Sequence, residues 1–293
     1  MEGQIKQFLS YLEVEQRCSR HTVGAYGRDL RQFNAWRDSD DCSTVTPGEI
    51  RAWIGDLADG GMETATLRRK AQSLRAFFHW RQKTAGAPSN PAADIVLPKL
   101  RKHLPNFIKE EEMEALLDTS HDTFAQERAH ITLAMLYSLG LRQDELLTLT
   151  DADVDYPGRE VRVTGKRNKQ RAVPLPDQLA EGIRHWQEVR DARYPQLERP
   201  AALIAGPHGH LSKTALYGVV RDALATVSAG RKSPHTLRHT FATSMINNGA
   251  DLDAVREMLG HESLATTQIY THLSFNELLS NYRHSHPRAR KDE

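Results

Sequence analysis

The chain is short of the features that announce a metal, a disulfide framework or a membrane. Its 293 residues include two cysteines, Cys18 and Cys42, with neither zinc-ligand spacing nor partners for a disulfide set. Both are expected as free thiols in a reducing compartment, which points to the cytoplasm. No apolar run reaches the roughly 18 residues of a membrane-spanning helix. The N-terminus lacks the basic segment and apolar core of a secretory leader, so none is expected. Neither sign of charge dominates: 39 Lys and Arg stand against 38 Asp and Glu. Whole-chain charge therefore does not mark a polyanion binder. Gly165-Lys166 is not a phosphate-binding P-loop, because Glu160 stands where the first glycine would be and Arg167 where Ser or Thr would follow. There is no internal repeat and no low-complexity tract.

What is present is length for two domains and enough apolar side chain, 39%, for buried cores. Charge is unevenly spread. Residues 63–83 carry Arg68, Arg69, Lys70, Arg75, Arg81 and Lys83 against Glu63, and residues 20–37 carry Arg20, Arg28, Arg31 and Arg37 against Asp29. Acid gathers at Asp38–Asp41 and Glu110–Glu114. Basic helices of this kind either neutralise backbone phosphates or form solvated faces.

The first 84 residues read as four helices. Ile5, Phe8, Leu9 and Leu12 share one helix face, and Val23, Tyr26, Leu30 and Phe33 another. A third helix starts at Thr46 as N-cap, with Pro47 in its first turn and Glu49 closing a capping box, and ends at Gly60-Gly61. A fourth runs from about Thr64, with Leu67, Ala71, Leu74 and Phe78 on one side. Pro88, Pro91, Pro98 and Pro105 mark residues 87–107 as an extended linker, with Lys99, Arg101 and Lys102 facing solvent or phosphate. The domains are thus expected at residues 1–86 and 108–293.

The second domain opens with helices, including the apolar run Ile131–Leu139. Arg142 starts a short helix carrying Glu145, Leu146 and Leu149. Val154–Leu175 reads as β structure: Tyr156-Pro157-Gly158-Arg159 turns, Val161 and Val163 alternate with polar residues, and Arg167-Asn168-Lys169 turns again before Ala172 and Val173. The remainder reads as mainly helical, with Ser212 a candidate N-cap.

The chemistry is read backwards from Tyr270. His261, Arg238, His235, Lys166 and Arg142 precede it. The set holds guanidinium, amine, imidazole and phenol groups, with no cysteine and no carboxylate pair. Two arginines can hold a phosphate by forked hydrogen bonds. A phenol can attack phosphorus if its proton is removed and the developing charge is held. These residue types suggest phosphoryl transfer through a covalent phosphotyrosine, with no metal or other cofactor. His235 and Arg238, three apart on a helix, would share a face about 5–6 Å apart at Cβ. Glu145 reads either as a brace for an active-site cation or as a solvated helix carboxylate.

At these residues the chain resembles the tyrosine site-specific recombinases of the phage integrase family, and within it the Xer-type enzymes. The resemblance rests on Gly140-Leu141-Arg142-Gln143-Asp144-Glu145-Leu146, the segment Gly165–Arg171, His235-Thr236-Leu237-Arg238-His239, Leu259-Gly260-His261, Thr266-Thr267-Gln268-Ile269-Tyr270-Thr271-His272, and the ending His286-Pro287-Arg288-Ala289. It implies a mainly α fold with a small antiparallel β-sheet: an N-terminal four-helix SAM-like DNA-binding domain and an α/β catalytic domain. It implies that Arg142 and Arg238 clamp the scissile phosphate, Lys166 is the general acid for the departing 5′ oxygen, His235 accepts the phenol proton, His261 bonds the phosphate and Tyr270 is the nucleophile. Lys169 is then a phosphate contact. The implied partners are double-stranded DNA with paired sites, a homo- or hetero-tetramer on it, a second Xer-type recombinase and a septal DNA translocase, with no membrane. A mobile-element integrase, a type IB topoisomerase and a catalytically silent DNA-binding relative are the neighbouring alternatives. A zinc site of His235, His239 and His261 is disfavoured by Arg238 beside it and by the absence of a Glu after His235. Finally, Phe275, Leu278, Leu279 and Tyr282 form one apolar helix face. The resemblance implies that this face docks on a neighbouring protomer in a head-to-tail ring.

Overall fold

The computed structural model describes residues 1–97, 107–165, 169–260 and 275–292, with no account of the side chains of 275, 276 and 290–292. The chain divides into two compact units, Met1–Lys102 and His103–Glu293. The architecture is mainly helical with small antiparallel sheets.

The first unit is built from α1 (Glu2–Val14), α2 (Arg20–Arg37), α3 (Pro47–Asp59) and α4 (Thr64–Ala85). Each starts and stops for local reasons. The Ser19 hydroxyl accepts from the Thr22 N–H at the start of α2. Thr46 and Glu49 form the expected capping box of α3, and Gly60 follows its last residue. One stripe from each helix meets in a common core: Ile5 and Phe8, Leu30 and Phe33, Ile50 and Trp53, Leu67, Leu74 and Phe78. Phe33 meets Trp53 edge-on at 5.1 Å, and Phe8 meets Phe77 at 5.5 Å.

Several basic residues of the two runs read as open to phosphate or solvent are committed inside this unit. Lys70 is buried and donates to the buried carboxylate of Asp29 at 2.9 Å, which Arg69 also contacts. Arg81 is buried and donates to the Cys42 carbonyl. Arg75 donates to the carbonyls of Ala92 and Ile95. This last contact also corrects the reading of residues 87–97 as extended linker. Ala92 and Ile95 are buried in the first core, because proline forbids a helix there but not packing. The Arg75 guanidinium thereby satisfies two backbone carbonyls of this segment.

The second unit runs through α5 (Glu110–Leu117), α6 (Phe124–Ser138) and α7 (Gln143–Thr148) into β1 (Val154–Asp155), β2 (Glu160–Thr164) and β3 (Gln170–Pro174). These strands form an antiparallel sheet in the order β1-β2-β3, with Val161 opposite Val173 and Val163 opposite Arg171. Next come α8 (Asp177–Arg193), β4 (Ala205–Gly206) and β5 (Gly209–His210), the last two a small hairpin in a stretch expected to be helical. Two residues per strand leave no periodicity to detect. The unit continues with α9 (Lys213–Ala223), capped by Ser212 as expected, α10 (Pro234–Asn247), α11 (Leu252–Leu259) and α12 (Phe275–Ser285). Helix α6 is buried along Ile131–Ser138 and is the spine of this core.

Two residues of the expected apolar face of α12 are buried within their own chain. Leu278 and Tyr282 are buried against α10, α11 and β3. The Tyr282 hydroxyl donates to the Ser138 carbonyl at 2.9 Å. His286 stacks on the Tyr282 ring at 4.8 Å, and its burial pushes the imidazole pKa down to about 3. A short helix needs such a seat to be stable, and α6 and α10 supply one in the same chain. Among the described residues, no helix is long and apolar enough to cross a membrane.

Candidate active site

The site begins at the turn after α6. Gly140 takes φ +57°, and a Cβ there would stand 2.5 Å from Phe241 Cδ1. Only glycine turns the chain so tightly against α10. The turn delivers Arg142 to the N-terminus of α7, where its backbone N–H donates to Glu145 Oε2 at 2.8 Å. Its guanidinium donates to Glu145 Oε1 at 2.7 Å and to the Gly260 carbonyl at 3.0 Å.

Glu145 is therefore the brace and not a solvated carboxylate. Its side chain is 3% exposed. Burial by itself would raise its pKa, but hydrogen bonds from Arg171 and Arg142 and the Arg171 charge outweigh that and hold it at about 2.

Helix α10 supplies the second arginine. Ser233 caps it, and Pro234 occupies its first turn. Arg238 points inward, donates to the Gly140 carbonyl at 2.6 Å and to the Leu259 carbonyl, and lies 3.7 Å from Glu145 Oε2. Burial, then repulsion from Arg142, lowers its pKa to about 10, so it stays charged at neutral pH. His235 lies one turn earlier and is exposed. Its pKa is lowered, first by partial burial and then by the charges of His239, Arg238 and Arg231. A neutral imidazole able to accept a proton is the consequence.

A third guanidinium escaped the sequence reading. Arg171 on β3 grips Glu145 with both ends, Nη1 to Oε1 and Nη2 to Oε2, each at 2.9 Å. Its Nε donates to the Met258 carbonyl at 2.7 Å, in the last turn of α11. A signal for it did exist. Arg171 falls two before the buried Val173 and opposite the buried Val163, so strand alternation puts its charge on the inward face. Gly260, at φ +61°, ends α11 against this arginine: a Cβ there would touch Arg171 Cδ at 3.4 Å.

Of the six expected catalytic residues, the structure brings Arg142 and Arg238 together around Glu145, with His235 on the same helix as Arg238. Lys166, His261 and Tyr270 lie outside the described residues. The described residues just before Lys166 and His261 are Gly165, whose N–H donates to the Lys169 carbonyl at 2.7 Å, and Gly260, which accepts from Arg142. Three guanidiniums thus surround one carboxylate and leave the cluster cationic, which suits it to an anion such as a phosphodiester. Among the described residues, no group of three or more His, Cys, Asp or Glu could hold a metal ion.

Comparison with known proteins agrees with this chemistry. Residues 106–277 match the phage integrase family, and residues 5–84 match the phage integrase N-terminal SAM-like domain. The chain is 36% identical to tyrosine recombinase XerC of Corynebacterium glutamicum, over 97% of this chain and 92% of that protein. It is 34% identical to tyrosine recombinase XerD of Staphylococcus epidermidis, over 97% of this chain and 99% of that protein. In fold it resembles the XerH site-specific recombinase bound to its difH substrate before cleavage, with TM-score 0.68 at 22% identity, covering 97% of this chain and 84% of that one. The Tn1549 transposon integrase in complex with transposon right end DNA has the same fold, with TM-score 0.72 at 19% identity, covering 94% of this chain and 97% of that one.

Proposed function

The chain belongs to the phage integrase family and is a site-specific tyrosine recombinase of the Xer type, and from that premise we propose how its residues carry the reaction. The observation that carries the proposal is the convergence of Arg142 and Arg238 on Glu145, with a cationic surplus and a proton-accepting His235 beside it. Arg142 and Arg238 hold the non-bridging oxygens of the scissile phosphate. Their charge counts most as the pentacoordinate, more anionic phosphorus centre develops. His235 takes the Tyr270 phenol proton. The phenolic oxygen bonds to phosphorus while the bond from phosphorus to the 5′ oxygen breaks. Lys166 gives its proton to that oxygen. The products are a 3′-phosphotyrosine and a free 5′-hydroxyl. His261 adds a hydrogen bond to the phosphate. Attack by the 5′-hydroxyl of the exchanged strand reverses these steps, so the ester bond is conserved and no nucleotide hydrolysis is required.

The partner is double-stranded DNA carrying paired recombination sites. Both units are expected to contact the duplex. Four protomers, identical or shared with a second Xer-type recombinase, hold two sites and pass through a Holliday junction. The likeness to XerC and XerD relatives supports chromosome-dimer resolution at cell division, on the nucleoid in the cytoplasm, under a septal DNA translocase.

The test is covalent trapping. Sequencing DNA recovered covalently bound to the protein in its host identifies the site. On that duplex the protein should form a covalent adduct, and Tyr270→Phe should bind equally well and form none. An adduct from Tyr270→Phe would remove Tyr270 from its role.

A further inference from the structure

We propose that Arg171 is a positioning residue of strand cleavage: it holds Glu145 and the end of α11 in register, so that Arg142 and Arg238 meet the phosphate together. The inference rests on the recombinase reading above and deepens it. Glu145 touches Arg142 and Arg171 and lies near Arg238, and Arg171 is the partner that grips both of its oxygens. Bidentate pairing fixes the plane of the carboxylate, which a single hydrogen bond would leave free to turn. A turned carboxylate would release the Arg142 side chain, which is 42% exposed and has, among the described residues, the Gly260 carbonyl as its further anchor.

The remaining contacts of Arg171 tie in the other strands of the site. Its Nε bond to the Met258 carbonyl, and its close pass at Gly260, fix the turn that leads into His261. The same turn supplies the carbonyls of Leu259 and Gly260 that anchor Arg238 and Arg142. On its other side, Arg171 Nη1 and Glu145 Oε1 lie 3.9 and 3.6 Å from where a Cβ on Gly165 would stand, and Gly165 precedes Lys166. One guanidinium thus joins α7, β3, α11 and the base of the β2–β3 hairpin. With 13% of its side chain exposed and three N–H groups committed to Glu145 and Met258, Arg171 acts through these neighbours and not on the substrate.

The experiment measures single-turnover adduct formation on a nicked duplex carrying the site recovered by trapping. The variants are Arg171→Met, Glu145→Gln and the double variant. Duplex affinity is read by gel shift and folding by circular dichroism. Arg171→Met should bind within about threefold of the unmodified protein and form adduct on the order of 100-fold more slowly, the scale of a misplaced catalytic group. The double variant should be no slower than the slower single variant, since both changes release the same carboxylate. A second substrate carries a methylphosphonate at the scissile position, with one charged oxygen removed. The defect of Arg171→Met should shrink there, because a loosened clamp has less charge to meet; a purely structural defect would be equal on both substrates. If Arg171→Met does not fold, Arg171→Lys replaces it, keeping the charge but losing the fork, and should also be slowed. Wild-type rates in the folded variants, or multiplied losses in the double variant, would overturn the proposal. Failure of the recombinase reading looks different: the unmodified protein would form no adduct.

Discussion

Glu145 and Asp151 each gather arginines in the second unit, but to opposite balances of charge. Around Glu145 stand Arg142, Arg171 and Arg238, three cations on one carboxylate. Around Asp151 stand Arg190 and Arg199, which also share Asp191, so that two cations meet two carboxylates. Arg190 is fully buried and grips both oxygens of Asp151 at 2.8 and 2.9 Å while donating to the Ala202 carbonyl. The balanced network is complete and staples α8 to the loops beside it. Among the described residues the unbalanced one keeps a positive surplus, which suits it to an anion. After burial, repulsion from Arg142 lowers the Arg238 pKa, and after burial and His239 the Arg238 charge contributes to the lowered pKa of His235. Excess of one sign inside a structure stores cost, and a ligand of the other sign relieves it.

This contrast can be broken from either end. The largest effect is expected at the unbalanced cluster. Arg238→Ala should lower the rate of adduct formation by about 100- to 1000-fold, as for loss of one preorganised donor to a developing charge. A single-turnover rate within a few-fold of the unmodified protein would dissolve the distinction. At the balanced cluster the loss should be in stability and not chemistry. Arg190→Met leaves the partly buried Asp151 without its main partner and should cost about 3 kcal/mol in urea unfolding, the low end for breaking a buried pair. Adduct formation by the protein that remains folded should be unchanged; a catalytic defect there would mean the two networks are coupled.

The third effect is a pH dependence. The folded-state pKa of Glu145, about 2, lies below its ordinary value of 4.5. The stability it contributes is complete above about pH 4.5 and is lost as pH falls toward 2. Glu145→Gln should be less stable at neutral pH and should lack that part of the acid slope. Urea unfolding between pH 6 and pH 3, on the order of these values, decides it: identical slopes in both proteins would show that the carboxylate does not carry the arginines. The smallest effect belongs to Arg199, on the rim of the balanced network with 56% of its side chain exposed. Arg199→Ala should cost less than about 1 kcal/mol, because exposed pairs are solvent-screened. A larger loss would make the rim as important as the buried core of the network.

Much of this was open to a reading of residues in order. The capping box of α3, the Ser212 cap of α9, the apolar stripes of α1 to α4 and the outer hairpin at Tyr156–Arg159 depend on neighbours one to five positions apart. The family resemblance named Arg142, His235 and Arg238 from short motifs, and Gly140 from the same run proved necessary for the turn that places Arg142. Residue type misled where a charge was taken to imply exposure. Lys70, Arg75 and Arg81 were counted with helix faces open to phosphate or solvent, yet each is held by a buried carboxylate or by backbone carbonyls.

Local signals were sufficient for helices, caps, the sheet and the chemical vocabulary of the site, because each is set by contacts a few residues long and by side-chain identity. They were not sufficient for the grouping of Arg142, Arg171 and Arg238 on one carboxylate, nor for the seat of α12 on α10 and Ser138. Those depend on segments far apart in the chain, brought together when the second core closes. Whether a cation faces water, a carbonyl or an incoming phosphate is a property of that packing, since nothing in an arginine's own neighbourhood along the chain sets what its guanidinium will meet.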